Sequence, residues 1–152
     1  MIKTRPLKAE DIDDVRIVDE ATQIQYLGNV WAKLTEKEKD LYLESRKSEF
    51  KINVETGYSF VAVHDNIIVG FIFAHEMLPF HGTLYVRHIA IQPDFQGQGV
   101  GELLYKAVIS KAKESGLRKI IALINLDNPN SMKMHEKLGF ILNDRKEASL
   151  EL

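Results

Sequence analysis

The chain has no cysteine. That absence removes disulfide scaffolds, thiolate zinc sites, a thiol nucleophile and thiol redox switching together. Proline is scarce, four in 152 residues, and no Pro-, Gly- or Ser-rich stretch divides the sequence, so one domain over residues 1–152 is expected. No apolar run is long enough to cross a bilayer, and the opening Met1-Ile2-Lys3-Thr4-Arg5-Pro6 lacks the apolar core of a secretion signal. The expected address is the cytoplasm, with no membrane partner. Neither sign of charge dominates: 20 Lys and Arg stand against 22 Asp and Glu, a formal net charge of −2. Nothing there attracts nucleic acid, and none is expected as a partner. The five histidines are scattered, and Pro79 follows His75-Glu76 where a His-Glu-x-x-His motif needs its second histidine. No metal site is expected.

What is present is ordinary globular material, 45% hydrophobic and 28% charged. Ile2 to Leu7 alternates as a short strand, and Ala9 to about Leu27 carries Ile12, Val15 and Val18 at helical steps. Thr35-Glu36-Lys37-Glu38 reads as a capping box opening a second helix with Leu41, Leu43 and Phe50 on it. Tyr58–His64 and Ile67–Met77 are rich in Val, Ile and Phe and flank Asp65-Asn66, a pair that tolerates the positive φ of a tight hairpin. A further strand runs from Thr83 to Gln92. Its apolar spacing slips from even to odd between Val86 and Ile89, which predicts a β-bulge near Arg87 and His88. Val100, Leu103, Leu104, Ala107, Val108 and Ala112 lie on one helical stripe ended by Gly116. Then follow a strand at Lys119–Ile124, a short helix at Ser131–Leu138, and a terminal hairpin pairing Phe140–Leu142 with Ala148–Leu152. The order βααβββαβαββ mixes hairpins with crossovers, so the α/β (α+β) fold should hold antiparallel and parallel neighbours. A terminal strand ending at Leu152 would leave an edge for a second copy, hence a possible homodimer.

Between strand and helix lies Gln96-Gly97-Gln98-Gly99-Val100-Gly101. Exposed backbone amides and a positive helix end in that position suit an anion, and a side chain at Gly99 or Gly101 would occupy the space a pyrophosphate needs. A plain tight turn is the competing reading. A P-loop is excluded because no Gly-Lys-Ser/Thr closes the cluster, and both dinucleotide frames fail, at Leu104 and at Glu102.

Ile89 through Gly101 resembles the acetyl-CoA motif of the GCN5-related N-acetyltransferases, Gln/Arg-x-x-Gly-x-Gly/Ala, and Asn128 through Phe140 resembles that family's second motif. The resemblance implies a mixed, mostly antiparallel sheet with a central splayed parallel pair and helices on both faces. It also implies acetyl-CoA as co-substrate, its pantetheine arm pairing with the backbone of Ile89, Ala90 and Ile91. The pyrophosphate would meet Gln96, Gly97, Gln98, Gly99, Val100 and Gly101, with Asn128 and Ser131 close to the arm. Asn and Ser are also favoured at helix starts for backbone reasons alone. The implied reaction moves acetyl to a primary amine, on a small molecule or on a protein or peptide, by direct attack; the alternative is a non-catalytic acyl-CoA sensor of the same fold.

An amine titrating near ~10.4 must lose a proton before it attacks. The family often uses a glutamate as the base, but no glutamate occurs from Gly82 to Gln92. The base is therefore His88, Glu76 through water, or another group bordering the cleft, where His75, Tyr85 and Arg87 also stand. The family tyrosine that protonates the leaving thiolate is replaced by His135. Either His135 takes over as the acid or it packs beside Leu138 while water supplies the proton. Trp31, Tyr26 and Leu27, near the junction of the first helices, form an acceptor lid or plain helix packing.

Overall fold

A computed structural model describes residues 1–79 and 81–152. The elements are β1 (Lys3–Pro6), α1 (Ile12–Leu27), α2 (Asn29–Lys33), α3 (Glu36–Thr56), β2 (Phe60–His64), β3 (Ile67–Glu76), β4 (Thr83–Ile91), α4 (Val100–Glu114), β5 (Lys119–Ala122) and α5 (Pro129–Lys137). Asp65 and Asn66 take positive φ, 48° and 65°, and turn β2 tightly into β3. The capping box on α3 is closed both ways: the Thr35 amide donates to Glu38 at 2.8 Å and the Glu38 amide to Thr35 Oγ1 at 3.3 Å. No helix among the described residues is long and apolar enough to cross a membrane.

The sheet runs β1-β2-β3-β4-β5, antiparallel except for the parallel pair β4–β5. Its two faces bury separate clusters. Val15 and Val18 of α1 and Phe50 of α3 pack on Phe71 and Phe73, while Val100, Leu104, Tyr105 and Val108 of α4 pack on Ile72, Ala74, Leu84 and Val86. Met134 of α5 and Leu138, which caps that helix, join the second cluster.

Two expectations are corrected. The terminal hairpin of Phe140–Leu142 with Ala148–Leu152 does not form: residues 140–152 carry no strand, and Ile141, Leu150 and Leu152 are exposed. Only a few apolar positions alternate there, and Asn143 to Glu147 offers no buried face to fix a register. The parallel pair accordingly stands at the sheet's edge, not in its centre, and the open edge belongs to β5. The short helix α2, unforeseen, exists because Trp31 is buried and packs edge-on against Tyr42 at 5.5 Å. Packing, not a lid, describes Trp31; Tyr26 and Leu27 are exposed.

Candidate active site

The expected bulge is present. Phe73 pairs with His88 and Ala74 with Val86, so Arg87 is the extra residue in β4. On the other side, β4 and β5 stay in register from Thr83 with Lys119 to Val86 with Ala122 and then part. Beyond that point β4 has a free edge. The Gln92 amide donates to Val69 O at 2.8 Å, so the alternation of an antiparallel ladder turns the N–H and C=O of Ile89 and Ile91 away from β3 and toward the gap. Ala90, by the same alternation, faces Phe71 with both its backbone groups and leaves none for the gap.

The free edge leads to the glycine loop. Gln96 Nε2 donates to Ile91 O at 3.0 Å and to Gln25 Oε1 at 2.7 Å, tying the loop to the strand end and to α1. Gln98 Nε2 donates to Asp94 O at 2.8 Å. Gly97 and Gly99 hold φ of +73° and +79°, a region that side chains enter at a cost of about 1–2 kcal/mol. Among the described residues, the amide N–H groups from Gly97 through Glu102 make no well-formed hydrogen bond. This run of unpaired donors opens a fifteen-residue helix, and that combination fits a pyrophosphate. Within it, Val100 buries its side chain in the core and offers only its amide. The reason given for Gly101 needs correction: a Cβ there would lie 2.9 Å from Met134 Sδ and 3.3 Å from Ile91, so α5 fills the space first. At Gly97 and Gly99 a Cβ would meet nothing.

Asn128 caps α5, its side chain accepting from the Ser131 amide at 3.1 Å, and its Nδ2 donates to the Tyr26 hydroxyl at 3.2 Å. Tyr26 and Gln25 thus carry the end of α1 across both motifs. Ser131 is half-buried, its Oγ 3.4 Å from His135 Nδ1.

His135 itself is 2% exposed. Its Nδ1 is 2.7 Å from Ser131 O, a carbonyl that can only accept, so Nδ1 carries the proton and Nε2 accepts from the Tyr105 hydroxyl at 2.6 Å. Burial lowers its pKa, opposed by the Ser131 carbonyl, and burial raises that of Tyr105. Both ring nitrogens are occupied inside the α4–α5 packing.

The two base candidates lie on opposite faces. Glu76 follows Ile72 and Ala74 onto the α4 face, where it accepts from the Tyr58 hydroxyl at 3.1 Å. His88 lies on the α1–α3 face over Phe71, its Nε2 3.3 Å from Asp19 Oδ1. That nitrogen is buried, and the contact is at ion-pair distance but outside good hydrogen-bond geometry. Asp19, 4% exposed, meets Arg46 Nε at 3.2 Å with its other oxygen. Burial would raise its pKa, but His88 and Arg46 prevail and hold the carboxyl below its ordinary value. Arg46 reaches Glu49 Oε2 at 2.7 Å, and Glu49 Oε1 lies 3.5 Å from Arg87 Nε. Asp19, Arg46 and Glu49 were missed in the sequence. A signal existed for one of them, since Asp19 shares the helical stripe of Val15, Val18 and Thr22 and so had to be buried.

A strand edge is thus laid open beside an amide-lined loop, with His88 and Asp19 close to the point where β4 and β5 part. The chain belongs to the acetyltransferase (GNAT) family, whose model matches residues 21–140. It is 25% identical over 122 residues to the L-amino acid N-acyltransferase MnaT of Escherichia coli, covering 78% of this chain and 68% of that one. It is 30% identical over 118 residues to an L-methionine sulfoximine/L-methionine sulfone acetyltransferase of Pseudomonas aeruginosa, covering 75% and 67%. The fold matches that of the PaiA N-acetyltransferase of Thermoplasma acidophilum, solved in complex with coenzyme A, with a TM-score of 0.76, 16% identity, and 96% and 93% of the two chains covered. The enzyme class and the acetyl-CoA co-substrate expected from the motifs follow from this membership.

Proposed function

We propose that this protein is an N-acetyltransferase that moves acetyl from acetyl-CoA directly to a primary amine, with both substrates bound together in the cytoplasm. The observation that carries this reading is the parting of β4 from β5 after Val86 and Ala122, which opens the Ile89–Ile91 edge between the unpaired amides and His88. When bound, acetyl-CoA would supply an acetyl thioester whose acetyl group goes to a neutral amine as the C–S bond breaks, the departing thiolate drawing its proton from water. The amides of Gly97 to Glu102 neutralise linked phosphates, and the backbone of Ile89 and Ile91 orients an extended arm as a strand neighbour would. Asp19 keeps a proton on His88 Nε2, which leaves Nδ1 as the lone pair that takes the proton of the incoming amine. Glu76 takes no part in this scheme, because the sheet lies between it and His88. His135 positions α5 through Tyr105 and is not the acid at sulfur. The absence of cysteine fits a route without an acyl-enzyme.

Thiol release from acetyl-CoA, followed with a panel of small amines and peptide N-termini, tests the proposal. Release should depend on the amine and fall at least about a hundredfold in His88→Ala. Calorimetric binding of coenzyme A without turnover of any amine would instead make the chain a sensor.

A further inference from the structure

We infer that the cleft between α3 and the β3–β4 ribbon is the acceptor subsite, and that it takes amines bearing a carboxylate, with Arg87 as the anchor of that carboxylate. The inference rests on the acetyl-transfer reading and names the substrate class for it. The cleft measures about 320 Å³ and is lined by Glu49, Ile52, Asn53, His75 and Arg87. Its wall is dipolar, with one carboxylate and one guanidinium. Arg87 makes no hydrogen bond among the described residues; its side chain is 51% exposed and its Nε lies 3.5 Å from Glu49 Oε1. Its terminal N–H groups are left for a ligand, in the fork geometry that matches a carboxylate. Glu49 Oε1 is buried without a hydrogen-bond partner beneath it, while Arg46 fixes Oε2.

The bulge sets the spacing. Arg87 and His88 are consecutive, and consecutive Cα atoms are about 3.8 Å apart. A carboxylate at Arg87 and an amine presented to His88 are therefore close together on the same ligand, as they are in an amino acid. A polyamine or an aminoglycoside carries several cations, and the cleft offers them a single carboxylate beside an arginine. His75 donates Nδ1–H to Glu76 O at 3.1 Å, which leaves its Nε2 as an acceptor on the cleft wall.

The test compares L-leucine, 3-methylbutylamine and spermidine as acceptors in the thiol-release assay, with wild type and Arg87→Gln. Leucine should exceed its decarboxylated analogue in kcat/KM by at least about tenfold, and R87Q should shrink that ratio to within about threefold. An unchanged ratio in R87Q, or preference for either amine lacking a carboxylate, overturns the inference. Saturation-transfer NMR on coenzyme A-loaded protein decides the same point without turnover. Leucine should give a signal that R87Q loses, and equal signals from leucine and 3-methylbutylamine would refute the anchor. Coenzyme A binding with no amine acetylated defeats the acetyl-transfer reading instead, so the two failures are distinguishable.

Discussion

Arg87 and His88 project from the same face of β4, although consecutive strand residues ordinarily face opposite ways. The bulge makes this possible, and it closes, through the backbone between them, a ring of polar contacts: His88 to Asp19, Asp19 to Arg46, Arg46 to Glu49, Glu49 to Arg87. Two helices and one strand meet in that ring. It fixes the imidazole beside the gap where β5 departs, a task no single element could perform.

Asp19→Asn tests whether the carboxylate serves the histidine. The shape is kept and Arg46 retains Glu49 and Tyr42, so the fold should survive. With acetyl-CoA affinity held, kcat should fall about ten- to a hundredfold, and D19N should add little to the loss already caused by His88→Ala, since residues acting as a unit are not additive. Steady-state kinetics on the two single variants and the double variant read this out. Full additivity would separate Asp19 from His88.

His135 and Tyr105 form a buried pair whose members each lose a partner when the other is truncated. His135→Phe leaves the Tyr105 hydroxyl unsatisfied and Tyr105→Phe leaves His135 Nε2 so, each at a cost of about 1–3 kcal/mol. The double variant should be more stable than the sum of the two losses predicts, and it should keep most of its kcat. Denaturant titration gives the stabilities. A collapse of kcat in the stable double variant would restore His135 as the acid.

The same burial sets a pH dependence. His135 has a folded pKa below its ordinary value of 6.5, so the unfolded chain binds the proton first as pH drops. Its contribution to stability is complete above about pH 6.5 and is lost as pH falls toward the depressed value. Asp11 and Asp19 are depressed below 3.8; burial opposes this, but Arg5 on Asp11, and His88 with Arg46 on Asp19, outweigh it. Their share is present above that value and is lost at lower pH still. Thermal unfolding between pH 8 and 3 should therefore fall in two steps, and the H135F/Y105F double variant should lack the upper one.

Local chemistry made much of this legible. The Thr35–Glu38 box, the Asp65-Asn66 turn and the slipped spacing before Ile89 each have a mechanism confined to a few residues, and each is found in the structure. Placement across the sheet was harder to read. His75 and Glu76 alternate, and Phe73 pairs with His88, so period two separates Glu76 from His88 only once the register is known. Trp31 shows the same limit, because its burial depends on Tyr42 eleven residues away. Residues 140–152 failed for the opposite reason, since a few alternating apolar positions do not make a strand without a neighbour to bury them.

Gly99 and Gly101 sit two residues apart in one motif, yet the structure gives them different tasks. At Gly99 the φ of +79° is the constraint, and an added Cβ meets no protein atom but projects beside the unpaired amides. At Gly101 the backbone is helical and the neighbour is Met134 Sδ, the mobile part of a long side chain. Gly99→Ala should therefore weaken coenzyme A binding at least about tenfold and cost stability by about 1–2 kcal/mol from the strained backbone alone. Gly101→Ala should leave the affinity within about threefold. Its cost should appear as lower thermal stability from displaced packing, on the order of 1–3 kcal/mol, and be partly relieved by Met134→Ala, which removes the clash. Calorimetry with coenzyme A and denaturant titration on the three variants separate the two effects. A G101A protein that loses affinity without losing stability would return that glycine to the phosphate site.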